Sequence, residues 1–197
     1  GDFHVFLVDR SYSTRFEHCL EDIQVALKTT LKNLEDSGQD KYYYIVFYSA
    51  ERNFGQLGVP DEERWYSATK KTDYLAEKSR ISSIVPVGDY SDPSVALNWT
   101  FRPISAVLSE PGRYVDTMWL VSNGPFNAPP EDLLDLVEAC QNMLAERGLK
   151  KARINTVGFS RRDNDIDEAD DMDRSTLKRI VELSAPDAPG EYLLITP

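Results

Sequence analysis

Residues 3–13 read Phe3-His4-Val5-Phe6-Leu7-Val8-Asp9-Arg10-Ser11-Tyr12-Ser13, a β-rich apolar run that ends at a carboxylate and is followed by two spaced hydroxyls. The next periodic segment carries Phe16, Cys19, Leu20, Ile23, Leu27, Leu31 and Leu34 at helical spacing. The opening unit is therefore strand, short polar loop, amphipathic helix. Thr14 and Glu17 stand in capping-box spacing at its start, and Ser37-Gly38 closes it. A second strand follows at Tyr42–Tyr48 (YYYIVFY), apolar or aromatic at every position. Continuous apolar character marks an interior strand covered by helices on both faces, since a surface strand would alternate.

The same alternation continues to the end of the chain. Asn53 to Leu57, near Gly55 and Gly58, is a candidate edge strand, and Lys71 to Val85 carries Tyr74, Leu75, Ile81 and Ile84 on a helical pattern. Ser91-Asp92-Pro93 opens a further helix through Ala96, Leu97 and Thr100, with proline at the first helical position after an N-cap aspartate. Then come a strand at Val115–Val121, a helix at Pro130–Arg147 stopped by Gly148, a strand at Arg153–Phe159, a helix at Thr176–Ser184 and a strand at Tyr192–Ile195. This order predicts an α/β fold: a doubly wound, mostly parallel six-stranded sheet with one short antiparallel edge strand and helices on both faces. No repeat or linker divides it, so residues 1–197 are expected to form a single domain.

Composition narrows the function. With 22 basic and 33 acidic residues the formal charge is −11, which disfavours nucleic acid or an anionic membrane surface and suits a basic partner or a cation. A chain of 197 residues buries about 70 % of its unfolded surface and needs no disulfide staple. Cys19 and Cys140, far apart and both on helical patterns, are expected to be core thiols. No apolar run approaches the ~20 residues of a membrane helix, so this segment is not expected to insert into a bilayer. Beginning at Gly1 without a basic n-region or cleavage site, the chain is expected to be excised from a longer protein, and its localisation stays unassigned.

In an open α/β sheet, ligands bind outside the carboxyl ends of the strands, where the strand order reverses. Asp9, Ser11 and Ser13 offer three oxygen ligands at alternate positions of one such loop, a pattern suited to a hard cation such as Mg²⁺. The same residues also suit a loop cap, turns and a helix N-terminus, and the residues alone leave both readings open.

Further loops add a resemblance. Gly88-Asp89-Tyr90-Ser91-Asp92-Pro93 and the strand end Met118-Trp119-Leu120-Val121-Ser122-Asn123-Gly124 fall in the order and spacing of a von Willebrand factor A domain. Asn155-Thr156-Val157-Gly158-Phe159, Leu177 to Leu183, and Gly190-Glu191-Tyr192 resemble the family's later strands and last helix. The resemblance runs from Phe3 to Ile195 and implies a Rossmann-like fold with a metal-ion-dependent adhesion site. It implies metal ligands at Asp9, Ser11 and Ser13, with Ser91 in the family's threonine position and Asn123 in its second aspartate position. The implied cation is Mg²⁺, or Mn²⁺ or Ca²⁺, held weakly or not at all because Asn123 removes a negative charge. The implied function is an adhesion or assembly module whose cation engages a carboxylate of a protein partner. Tyr12 stands where the family often has glycine, and with Tyr90 and Phe126 it is expected to form an aromatic rim for that partner. The alternative is a metal-free scaffold that binds through these loops.

Catalytic signatures are absent from the sequence. There is no Gly-x-Gly-x-x-Gly, Walker loop, His-Glu-x-x-His or Cys-x-x-Cys, and neither His4 nor His18 is placed to activate Ser11 or Ser13. A dehalogenase-like phosphatase needs a second aspartate where Ser11 stands. The acidic run Arg161–Asp173 has EF-hand spacing at Asp163, Asp165 and Asp167 but lacks the loop's glycine and final glutamate, and reads as a solvated acidic loop. A non-enzymatic protein is expected.

Overall fold

The chain order is β1 (Phe3–Asp9), α1 (Cys19–Asp36), β2 (Tyr42–Tyr48), β3 (Tyr66–Ser67), α2 (Lys71–Ser83), α3 (Ser94–Phe101), β4 (Thr117–Ser122), α4 (Pro130–Glu146), β5 (Arg153–Phe159), α5 (Glu168–Glu182) and β6 (Tyr192–Ile195). This is a computed structural model that describes residues 3–12, 14, 19–50, 54, 56–62, 64–101, 115–122, 126–159 and 168–195. The strands form one six-stranded sheet in the order β3-β2-β1-β4-β5-β6, with every pairing parallel except β2 with β3. The chain winds outward from β1 through β2 to β3, then starts again on the other side of β1 with β4. The order therefore reverses between β1 and β4, where an open α/β sheet leaves a crevice at the carboxyl ends of its strands.

Strand alternation divides the interior into two cores. Val5 and Leu7 of β1 and Tyr44, Val46 and Tyr48 of β2 join residues of α3, α4 and α5 on one face. Phe6 and Val8, with Tyr43, Ile45 and Phe47, join α1 and α2 on the other. Val5–Val8 and Tyr43–Tyr48 are apolar or aromatic throughout because neither face meets water. Helix α1 answers with Leu20, Ile23, Leu27 and Leu31, all buried and spaced three or four apart.

The predicted edge strand at Asn53–Leu57 is not where the edge lies. Phe54 and Leu57 have φ values of +56° and +63°, in the left-handed region that a strand does not use. The chain turns tightly here, and a Cβ on Gly58 would lie 2.1 Å from the Phe54 carbonyl oxygen. The antiparallel edge is instead β3, whose Ser67 and Tyr66 pair with Tyr42 and Tyr43. Asp73 of α2 holds this short strand, accepting the Ser67 N–H at 2.9 Å and two Arg64 donors at 2.8 Å each. The last helix begins at Glu168, eight residues before the predicted Thr176, so the acidic run ends in helix rather than loop; residues 161–167 of that run lie outside the described residues. The proposed cap residue Glu17 and the first apolar position Phe16 also lie outside them.

Beyond β3, the outer edge of β2 is closed by α2 and by the turn after Phe54. Arg80 donates to Ile45 O at 2.8 Å and to Leu57 O at 2.7 Å, while the Phe47 N–H donates to Gly58 O at 2.7 Å. Glu77 neutralises Arg80 through a bidentate pair at 3.0 and 2.6 Å, and both residues are buried. Breaking one partner of such a pair leaves the other charge uncompensated, so Arg80→Met is expected to cost about 3–5 kcal/mol of stability in urea unfolding. A loss below about 1 kcal/mol would show that Arg80 contributes only as a surface residue does.

Candidate functional site

The site lies at the reversal of strand order. Pairing of Val8 with Val121 sets Asp9, the last residue of β1, beside Ser122, the last residue of β4. The Asp9 side chain has no solvent exposure. One carboxylate oxygen, Oδ1, accepts the Ser11 N–H at 2.8 Å, so the loop folds back on the residue that starts it. The other, Oδ2, accepts the Ser91 hydroxyl at 2.7 Å and has the Ser122 hydroxyl at 3.4 Å.

Ser91 reaches Asp9 from a different loop, and its place is fixed from both sides. Its N–H donates to Asn127 Oδ1 and its carbonyl accepts the Asn127 N–H, each at 2.9 Å, within a short parallel bridge between Ser91 and Phe126. Asp92 then accepts the Ser94 N–H at 2.9 Å and Pro93 O accepts the Leu97 N–H at 2.8 Å, so this carboxylate caps α3. The loop carrying Ser11 is stitched to the chain ahead of Ser91 by the Tyr12 N–H, which donates to Gly88 O at 2.8 Å. Gly88 has φ +78°, a conformation that favours glycine and lets the chain turn toward Ser91.

The electrostatics follow from burial. Removal from water pushes the Asp9 carboxyl above its ordinary value of 3.8, and hydrogen bonds from Ser11, Ser91 and Ser122 pull it only part of the way back. Among the described residues Asp9 forms no ion pair, and no group of three or more His, Cys, Asp or Glu side chains gathers anywhere. Tyr48, fully buried on β2, has its hydroxyl 3.5 Å from Val121 O. Burial, with the Asp9 carboxylate nearby, pushes its phenol well above the usual value. The centre is thus one buried carboxylate ringed by hydroxyls.

Asp9 meets the Ser11 N–H and the Ser91 hydroxyl, whereas Ser13 and Asn123 lie outside the described residues. Tyr12 and Tyr90 are 41 % and 59 % exposed on the surrounding loops. Phe126 is half-buried against the core on the α3 and α4 side. Ser122, Tyr48 and Asn127 were not singled out by the sequence. Only the register between β1 and β4 reveals Ser122, and only the Ser91 bridge reveals Asn127. His4 lies five residues before Asp9 on the same strand, a separation of roughly 16 Å along an extended chain, too far to activate a site hydroxyl.

No protein-family model matches the chain, and no curated protein sequence matches it. Solved structures do. The pilus adhesin SpaC from Lactobacillus rhamnosus GG, in an open conformation, superposes with a TM-score of 0.65 at 13 % identity, covering 96 % of this chain and 27 % of the adhesin. The SpRpn10 VWA domain gives 0.61 at 10 % identity, covering 100 % of this chain and 88 % of that one. Manganese-loaded TRAP protein of Plasmodium vivax gives 0.56 at 13 % identity, covering 98 % and 68 %. This chain therefore spans about a quarter of the adhesin's length. Its fold is that of von Willebrand factor A domains.

Burial of Asp9 has a consequence for stability. The folded carboxyl keeps its proton to a higher pH than the unfolded one, so stability falls as pH rises from 3.8 through the folded value. In EDTA at pH 7, Asp9→Asn is expected to unfold at a higher urea concentration than the parent. The gain should vanish below pH 3.8, where the parent carboxyl is protonated in both states. Equal urea midpoints at pH 7 would show that the hydroxyl ring compensates the charge completely.

Proposed function

We propose that this protein is a non-enzymatic protein-binding module that uses a divalent cation at the carboxyl edge of its sheet to engage a carboxylate of its partner. The observation that carries this reading is the buried Asp9 carboxylate, held by the Ser11 amide and the Ser91 hydroxyl of two loops and by no cation among the described residues. An uncompensated buried anion is costly, and a bound cation relieves that cost. The donors are oxygens of the hard type that Mg²⁺ and Mn²⁺ take, and they stand at the ligand crevice of the fold.

Asp9, Ser11 and Ser91 would hold the cation, with Ser13 and Asn123 added by the family resemblance. A bound cation would supply an electrophilic centre for the partner's oxygen. The protein's own part is to keep that centre dry and oriented: Asp9 fixes the charge, Ser11 and Ser91 present neutral hydroxyls, and exposed Tyr12 and Tyr90 contact the partner around it. Two of the solved structures that share this fold support the reading, one a pilus adhesin and the other manganese-loaded. No described helix is long and apolar enough to cross a membrane.

A metal-free interaction module is the second reading. It is favoured by the fact that Ser11 and Ser91 already satisfy Asp9 through short hydrogen bonds. Thermal unfolding separates the two. With Mg²⁺ or Mn²⁺ at a hundred times its dissociation constant, stability is expected to rise by about 2.7 kcal/mol over the EDTA value. For a chain of this size that is a midpoint shift of roughly 5–11 °C. Asp9→Ala should fold and lose the shift. A parent protein indifferent to both cations would overturn the cation reading and leave the metal-free one.

A further inference from the structure

We propose that Arg10 is a positioning residue for this site, a buried guanidinium that locks the Asp9–Ser11 loop to the segment delivering Ser91. Arg10 is 1 % exposed and is the largest of the fully buried side chains. Its Nε and Nη2 donate to Val85 O at 3.0 and 2.8 Å, and Nη1 donates to Gln56 O at 2.6 Å and Phe54 O at 3.4 Å. These carbonyls come from two segments about thirty residues apart in sequence. The Arg10 main chain joins the same assembly, its N–H donating to Tyr48 O and its carbonyl accepting the Val87 N–H, both at 2.8 Å.

These bonds form a rail that leads to the site. Val85 is held by the guanidinium, Val87 by the Arg10 carbonyl and Gly88 by the Tyr12 N–H, after which the chain turns and Ser91 meets Asp9. Gln24 of α1 adds a clamp at the start of the rail, donating to Ile81 O at 2.8 Å and Ile84 O at 3.2 Å. On the far side, Phe54 packs edge-on against Trp99 of α3 with ring centroids 5.8 Å apart, so the turn that Arg10 holds also braces the helix following Ser91. A leucine or methionine fills such a volume at less desolvation cost, but only the planar fork of arginine spans carbonyls of both segments at once. The position lies between two candidate ligands, and its side chain takes no direct part in their contacts.

The metal-binding arm of this inference rests on the cation reading above; the loop-locking arm does not. The test compares Arg10→Met and Arg10→Lys with Leu31→Ala, a core truncation on α1 away from the site. Amide hydrogen exchange is read at Tyr12 and Val87, with Leu7 as the core reference, and Mn²⁺ affinity is read by titration followed by electron paramagnetic resonance. Expected for Arg10→Met is a native fold, local loss of protection at Tyr12 and Val87 relative to Leu7, and a Mn²⁺ dissociation constant raised about tenfold or more. Arg10→Lys, with one donor group in place of the fork, should fall between it and the parent. Leu31→Ala should lower the thermal midpoint and leave both local readouts unchanged.

Parent-like protection at both amides in Arg10→Met overturns the proposal, as does parent-like Mn²⁺ affinity. If the parent itself binds no Mn²⁺, the cation reading fails and the exchange result alone decides the role of Arg10. Should Arg10→Met not fold, Arg10→Lys decides by the same criteria. Failure of both to fold assigns Arg10 to general stability and overturns the positioning role.

Discussion

Strand β1 is buried on both faces, and most of the molecule follows from that constraint. A strand with no solvent-facing side can carry polar chemistry only where it ends. Val5 and Leu7 commit one face to α3, α4 and α5, and Phe6 and Val8 commit the other to α1 and α2. Asp9 is the first position at which the chain leaves this sandwich, so the carboxylate appears at the one place where neighbouring loops can reach it. The reversal of strand order between β1 and β4 then opens the space above it.

What surrounds Asp9 shows how a costly group is kept in a fold. Its oxygens are met by hydroxyls and an amide, neutral donors that hold the carboxylate in place without cancelling its charge. A lysine or arginine in the same place would form a stronger pair and close the site. The cationic side chain of the same loop, Arg10, is spent on main-chain carbonyls instead. Charge compensation and loop placement are thus assigned to different groups, which leaves the anion available and the geometry fixed.

The sequence showed the central fold clearly because two-sided burial leaves an unambiguous trace. In YYYIVFY every position is apolar or aromatic, and no competing surface assignment fits it. The edge was less legible. Asn53–Leu57 has strand-like composition, but Arg10 and Arg80 bind the Gln56 and Leu57 carbonyls, and such distant partners leave no local pattern. Tyr66–Ser67 is too short for periodicity to register. The early start of α5 was hidden because Glu168 to Arg174 is mostly charged, with only Ala169 and Met172 apolar before Leu177. At the site, loop position and resemblance pointed to Asp9, Ser11 and Ser91, which the structure joins by hydrogen bonds. They did not point to Ser122 and Asn127, since cross-strand register and a bridge between loops bring them in.

The closure of β2 by Arg80 and Gly58 bears on how this protein can fail. YYYIVFY is a seven-residue segment of high β-propensity without charge, proline or glycine, the composition from which stacked cross-β assemblies form. Its outer edge would template a copy of itself were it open. Three devices close it in turn, with β3 at Tyr43, the guanidinium at Ile45 and the Gly58 carbonyl at Phe47. Because α2 carries Arg80 and also anchors β3 through Asp73, undocking this one helix removes two of them together. Local opening of α2 would therefore bare most of this edge without global unfolding.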